Sequence, residues 1–197
     1  MTYDLLIALM AFAFVTSITP GPNNMMLMAS GANFGFRRSI PHMLGVALGF
    51  VVMALLVGIG LVEVFDTYPV SYTILQIVSI AYLGWLAWKI ATAAAPTGDE
   101  ARGRPMTFVQ AALFQWVNPK AWAMALTAVS VYAPNHSFSA VLVVAATFGA
   151  VNLPSVGSWV LLGQQMRRLL TSRRRLHAFN ITMAVLLVAS LYPVLFP

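Results

Sequence analysis

Polar residues fall into short runs along the chain, and between them stand six long apolar stretches, at about 5–36, 40–61, 70–91, 108–132, 138–163 and 179–196. A helix needs about 20 residues at 1.5 Å each to cross roughly 30 Å of hydrocarbon, and most of the stretches reach that length. Membrane β-strands would instead show alternating segments of about ten residues, and the runs here are continuous. The pattern predicts an all-α membrane protein with six transmembrane helices in a single transmembrane domain, residues 1–197. A polar linker at 95–107, with Pro96, Gly98, Asp99, Glu100, Arg102, Arg104 and Pro105, divides it into three-helix units at 1–94 and 108–197.

Two stretches carry residues that stop helices. The first holds Thr19-Pro20-Gly21-Pro22-Asn23-Asn24 and is too long for one straight span; the fourth holds Gln115-Trp116-Val117-Asn118-Pro119-Lys120. Proline removes a backbone donor and clashes with the preceding turn. The two breaks lie about half a chain apart, one in the first span of each half. Three spans per half is an odd number, so the halves face opposite ways, as two inverted three-helix repeats with helices 1 and 4 interrupted. Matched interruptions of this kind are the best sequence pointer to a transporter's substrate site. Prolines also occur in membrane helices as plain kinks, where neighbours satisfy the freed carbonyls. The matched positions, each with Asn beside Pro, favour the repeat.

A helix restarting at Pro22 presents unpaired N–H groups and a positive dipole end, and proline suits its first turn. A second such end lies near Pro119. Together they form a place for a carboxylate, and the freed carbonyls of Thr16 to Thr19 and of Gln115 to Val117 offer an ammonium group its acceptors. An amino-acid zwitterion fits that pair of poles. The candidate substrate-binding residues are Pro20, Gly21, Pro22, Asn23, Asn24, Gln115, Asn118, Pro119 and Lys120, with Asn152 beside the expected irregularity at Pro154. Lys120 is the one charge placed deep in a span, where insertion costs roughly 3 kcal/mol. It either pairs with a substrate carboxylate, changes protonation during transport, or serves structure by snorkelling or bonding a carbonyl.

Composition and charge narrow the picture. Of 197 residues, 60% are hydrophobic and 8% charged, against about 25% charged in a soluble domain; mean hydropathy is +0.82. The absence of cysteine excludes disulfides and thiolate chemistry. Arg37 and Arg38, then Lys89, Arg102 and Arg104, then Arg167, Arg168, Arg173, Arg174 and Arg175 all fall on one side of a six-span layout; Asp4, Glu63, Asp66 and His136 fall on the other. The positive-inside rule places the basic loops in the cytoplasm and both termini outside. The net charge of +6 therefore belongs to membrane lipid and not to nucleic acid. Met1-Thr2-Tyr3-Asp4 lacks the basic residue of a cleaved signal. His42, His136 and His177 stand near segment ends without metal spacing, so no metal or cofactor is expected. Ser155 and Ser158 lack an in-membrane His or Asp to activate them, which disfavours a hydrolase; a channel or ion carrier is the stronger alternative to a transporter. Gly45 and Gly49 predict close helix packing, within or between subunits, and a homodimer is the expected assembly. Gln76 and Tyr82 are expected inside the bundle, and Trp85 and Trp88 at the cytoplasmic interface.

The first break resembles the signature of the LysE/RhtB family of bacterial amino-acid exporters, and Asn118-Pro119-Lys120 resembles that family's second motif. Ala81-Tyr82-Leu83-Gly84-Trp85-Leu86-Ala87-Trp88-Lys89 is similar to its third segment. Within the family, Gly35-Phe36-Arg37-Arg38-Ser39 and Trp85 to Thr92 resemble the exporters of cysteine and O-acetylserine; neighbouring members export homoserine, threonine, leucine or lysine. The resemblance implies efflux across the bacterial inner membrane, driven by the proton motive force.

Overall fold

A computed structural model describes residues 1–61, 63, 67–93, 104–133 and 137–192. Most of the linker, and Asp66, Asp99, Glu100, Arg102 and His136, lie outside the described residues.

Among the described residues eight α-helices build the fold and no strand occurs. Helix α1, Tyr3–Ile18, is capped by the Thr2 hydroxyl, with Asp4 in its first turn facing the positive dipole end. Helix α2, Pro22–Phe34, ends at Gly35, whose φ of +80° suits a residue without Cβ. Helix α3, Phe36–Leu56, follows at once and runs into a wide turn, Val57–Leu61. Its start is held from far along the chain: the Phe36 N–H donates to Gln164 Oε1 at 2.6 Å. Helix α4 is Val70–Ala91. Helix α5, Phe108–Phe114, opens with a capping box between Thr107 and Gln110 and tightens into a 3₁₀ turn, Gln115–Val117. Helices α6, Pro119–Tyr132, α7, Phe138–Arg167, and α8, Arg173–Ala189, complete the order.

Among the described residues three helices are long and apolar enough to cross a membrane: Phe36–Leu61, Val70–Ala91 and Phe138–Arg167. A fourth crossing counts if α1 and α2, bent by 56° at their break, form one span. Helix α8, at 17 residues, is shorter than these. The helices differ in places from the sequence expectation. Helix α3 begins at Phe36, so Arg37 and Arg38 sit in its first turn, and α8 begins at Arg173. Helix α7 continues through Pro154, so the expected irregularity there is absent.

Helix α7 is the centre of the bundle, with α1, α2 and α3 packed on it; α5 packs on α3, and α4 on α8. Small residues allow the closest approaches. A Cβ on Gly31 would lie 2.1 Å from Val160 O, and one on Gly163 would lie 2.0 Å from Met28 O, so α2 and α7 touch backbone to backbone. A Cβ on Gly45 would lie 2.3 Å from Phe108 O, so the Gly45–Gly49 face is used within the chain, against α5. Phe148 anchors the apolar core between Phe12 and Phe50, with ring centroids 6.1 and 4.9 Å away. Outward, Ile7, Met10 and Phe14 of α1 and Ile74 and Ile77 of α4 are exposed. Such a continuous apolar surface is at home in lipid.

These contacts set a test. Gly163→Ala drives a methyl into the α2 backbone, which no rotamer relieves, and is expected to cost about 1–3 kcal/mol. Gly84→Ala adds a methyl with nothing within 4 Å inside a helix and should hold stability or raise it by up to about 1 kcal/mol. Thermal unfolding in detergent compares them; equal melting temperatures would contradict the close α2–α7 contact.

Candidate functional site

The site begins with two places where the chain cannot stay helical. Pro20 and Pro22 end α1: Thr19 turns extended, at φ −62° and ψ 137°, and α2 starts with Pro22 in its first turn. Asn118, extended by the proline after it, separates the 3₁₀ turn from α6. Both restarts fall where the sequence places them. The breaks meet side by side. The Lys120 ammonium donates to Thr19 O at 2.6 Å and Pro20 O at 3.4 Å. Asn23 and Gln115 exchange hydrogen bonds: Asn23 Nδ2 donates to Gln115 Oε1 at 2.8 Å, and Gln115 Nε2 donates to Asn23 Oδ1 at 3.2 Å. Gln115 Nε2 also reaches Ala111 O at 2.9 Å.

A broken helix leaves carbonyls without their usual partners. Here side chains from three other elements take them. Asn24 Nδ2 donates to Ser17 O and Thr19 O, at 2.9 and 2.8 Å. Trp159 Nε1, from α7, donates to Ile18 O at 3.1 Å. In the second break Trp122 Nε1 donates to Trp116 O at 2.9 Å. Of the acceptors expected to await a substrate ammonium, Ser17 O, Ile18 O, Thr19 O and Trp116 O thus already hold side-chain donors of the protein, Lys120 among them. The restarting ends differ: Asn118 Oδ1 caps α6 by accepting from Lys120 N at 3.2 Å, whereas Gly21 gives α2 no side-chain cap.

Between the breaks lies a cavity of about 20 Å³, room for about one water. Six of the ten sequence candidates line it: Gly21, Asn23, Asn24, Asn118, Lys120 and Asn152. The lysine stem crosses Gly21, where a Cβ would sit 2.7 Å from Lys120 Cδ. The other four stand just outside. Pro20 is at the surface and contributes its carbonyl, Pro22 and Pro119 shape the restarts, and buried Gln115 holds Asn23.

The sequence reading missed Phe50, Met124, Val156 and the Ser17 side chain, all of which line the cavity. Met124 is four residues beyond Lys120, and Val156 four beyond Asn152, so helix periodicity carried a signal for both. Ser17 Oγ is buried without a hydrogen-bond partner. His42 was missed too. It is buried inside the bundle, with neither ring nitrogen partnered. Ser155 and Ser158 donate to carbonyls of their own helix, Val151 O and Ser155 O. Among the described residues no cluster of three metal-ligating side chains occurs.

A family model for LysE type translocators matches residues 14–190. The cysteine/O-acetylserine efflux protein of Escherichia coli strain K12 is 35% identical to the chain over 199 residues, covering 95% of this chain and 96% of the relative. Proteins of the same name from Escherichia coli O9:H4 strain HS and Shigella sonnei strain Ss046 match with the same identity and coverage. No solved structure matches the chain.

The pair joining the breaks has a measurable consequence. Asn23→Ala leaves the fully buried Gln115 amide short of a partner, at a cost of about 1–3 kcal/mol. In a double-mutant cycle with Gln115→Ala, denaturant unfolding should give a coupling of at least about 0.5 kcal/mol. Strict additivity would mean that the pair does not tie the breaks together.

Proposed function

This chain belongs to the LysE type translocator family and is a transporter, not an enzyme, and we propose that it exports small amino acids and their derivatives across the bacterial inner membrane. Cysteine and O-acetylserine head the candidate cargoes because its 35%-identical relatives bear those names; homoserine and threonine follow. The proposed architecture has six spans in two inverted halves, with both termini outside and the basic loops in the cytoplasm. One pair of contacts supports that symmetry, since α3 lies against α5 much as α7 lies against α1, whereas α2 packs on α7 far more extensively than its counterpart α6 packs on α3.

The observation that carries the reading is the Lys120 ammonium seated on Thr19 O and Pro20 O. It stands where a substrate ammonium would bind. An arriving zwitterion takes those carbonyls with its ammonium, and its carboxylate receives the displaced Lys120. The same carboxylate meets the first-turn N–H groups of α2, whose positive end carries no side-chain cap. Asn23, Asn24, Asn118 and Asn152 supply further polar groups around it. The cavity as it stands admits no amino acid, so loading requires α1–α2 and α6 to move apart, and alternating access follows. The proton motive force is the proposed drive.

Proteoliposomes loaded with labelled cysteine, O-acetylserine, homoserine or threonine test this under an imposed proton gradient. Wild type should release at least one of them. Lys120→Ala, inserted at normal levels, should slow release about tenfold or more, the loss of about 1.4 kcal/mol of binding or barrier energy. Release of none of the four by wild type would defeat the substrate assignment, and unchanged kinetics in Lys120→Ala would remove the role given to the lysine.

A further inference from the structure

A second and much larger cavity, of about 460 Å³, lies toward the end of the bundle that carries Lys89 and Arg104. Its volume falls within the range of small-molecule sites, about 300–1,000 Å³. One face of α2 joins it to the central site. Met26, Ser30 and Asn33 line the large cavity, and Asn23, three residues before Met26 on that helix, lines the small one. Met26 therefore stands between the two cavities, in one apolar cluster with Leu86 and Phe114.

The chemistry of this cavity is one-sided. Among the described residues, His42, Tyr82, Lys89 and Arg104 are the titratable or charged ones in its lining, and none of those is a carboxylate. The Lys89 ammonium stands 4.5 Å from the Trp85 ring centroid, and Arg104 is exposed ahead of α5. Deeper in, the polar side chains of α2 are already engaged: Ser30 with Ser39 at 2.8 Å, and Asn33 with Ala29 O at 2.8 Å and Asn180 at 3.0 Å. His42 is the exception. It is 1% exposed, and both ring nitrogens lack partners. Buried polar groups are nearly always paired; the His42 nitrogens are closed off from the cavity as it stands, and a turn of the ring would bring one of them to a ligand there.

Resting on the reading of the central site as an amino-acid site, we propose that the cavity walled by His42, Lys89 and Arg104 is a second amino-acid site of the same exporter, where the carboxylate is loaded before it passes Met26. Lys89 and Arg104 draw the carboxylate in, Tyr82 and the Trp85 face bound the side chain, and His42 bonds the ligand at the inner end. A lipid phosphate shares the anionic chemistry, and the test separates the two sources.

The full chain is reconstituted in phosphatidylcholine nanodiscs, and the binding of radiolabelled O-acetylserine is counted by scintillation proximity. Wild type should hold two molecules per chain. Lys89→Gln/Arg104→Gln, at exposed positions, should hold one and keep the affinity of the central site. Lys120→Ala should also hold one, now in the outer cavity. His42→Phe, which keeps a ring and loses the nitrogens, should weaken the second site about tenfold. A single Lys120-dependent molecule in wild type, or a second one indifferent to Lys89 and Arg104, overturns the proposal and leaves the central site standing. Loss of the second molecule when a quarter of the lipid becomes phosphatidylglycerol assigns the cavity to lipid headgroups and also overturns it. No bound O-acetylserine in wild type removes both sites.

Discussion

A peptide group without a hydrogen-bond partner is very costly in hydrocarbon, at several kcal/mol each, and most of this fold is arranged around that constraint. Prolines stop two helices part-way along their apolar stretches, and the freed carbonyls must find donors. Asn24, Trp159 and Lys120 answer for the first break, and Trp122 for the second. The donors come from α2, α6 and α7, so those helices must pass close to the break. The glycine contacts at Gly31 and Gly163 let α7 come that close to α2. Local chemistry at two prolines thus reaches into the packing of the whole bundle.

The same constraint gives the site its polarity. The C-terminal end of α1 and the N-terminal end of α2 place a negative and a positive dipole end within a few residues of each other. Lys120 balances the first. The second has no side-chain cap, whereas the matching start of α6 is closed by Asn118. The two breaks are therefore not equivalent: the start of α2 carries no side-chain cap, and the other break supplies the Lys120 ammonium that the proposed binding step uses.

Much of this was legible from residue order. Pro22 and Pro119 mark the helix starts because proline's missing donor acts locally and needs no tertiary knowledge. Gly21, Asn23, Asn24, Asn118, Lys120 and Asn152 come together because unusual polar residues in apolar runs rarely face lipid. What stayed hidden depends on partners distant in sequence. His42 looked like a residue at a segment end, since the apolar run starts near Ile40; helix α3 begins earlier because Gln164 caps Phe36 across 128 residues. Pro154 reads as a break, yet α7 continues through it, with α1, α2 and α3 packed on that helix. The clustering of the Lys120 ammonium with the carbonyls of the other break is likewise a contact over 101 residues.

Charge in the central cavity bears on what it can carry. Among the described residues its lining holds one charged residue, Lys120, and no carboxylate. A zwitterion adds no net charge, and its two poles replace contacts that the protein already makes with itself. A substrate with a second ammonium would bring a like charge close to Lys120 in a poorly screened interior, where such repulsion is strong. An anion without an ammonium would leave the Thr19 and Pro20 carbonyls bare once Lys120 turned to meet it. On the proposed reading the site selects for the neutral zwitterion through the lysine that stands in for half of it, and the bond of Lys120 to Thr19 O and its proposed part in binding are two positions of one group.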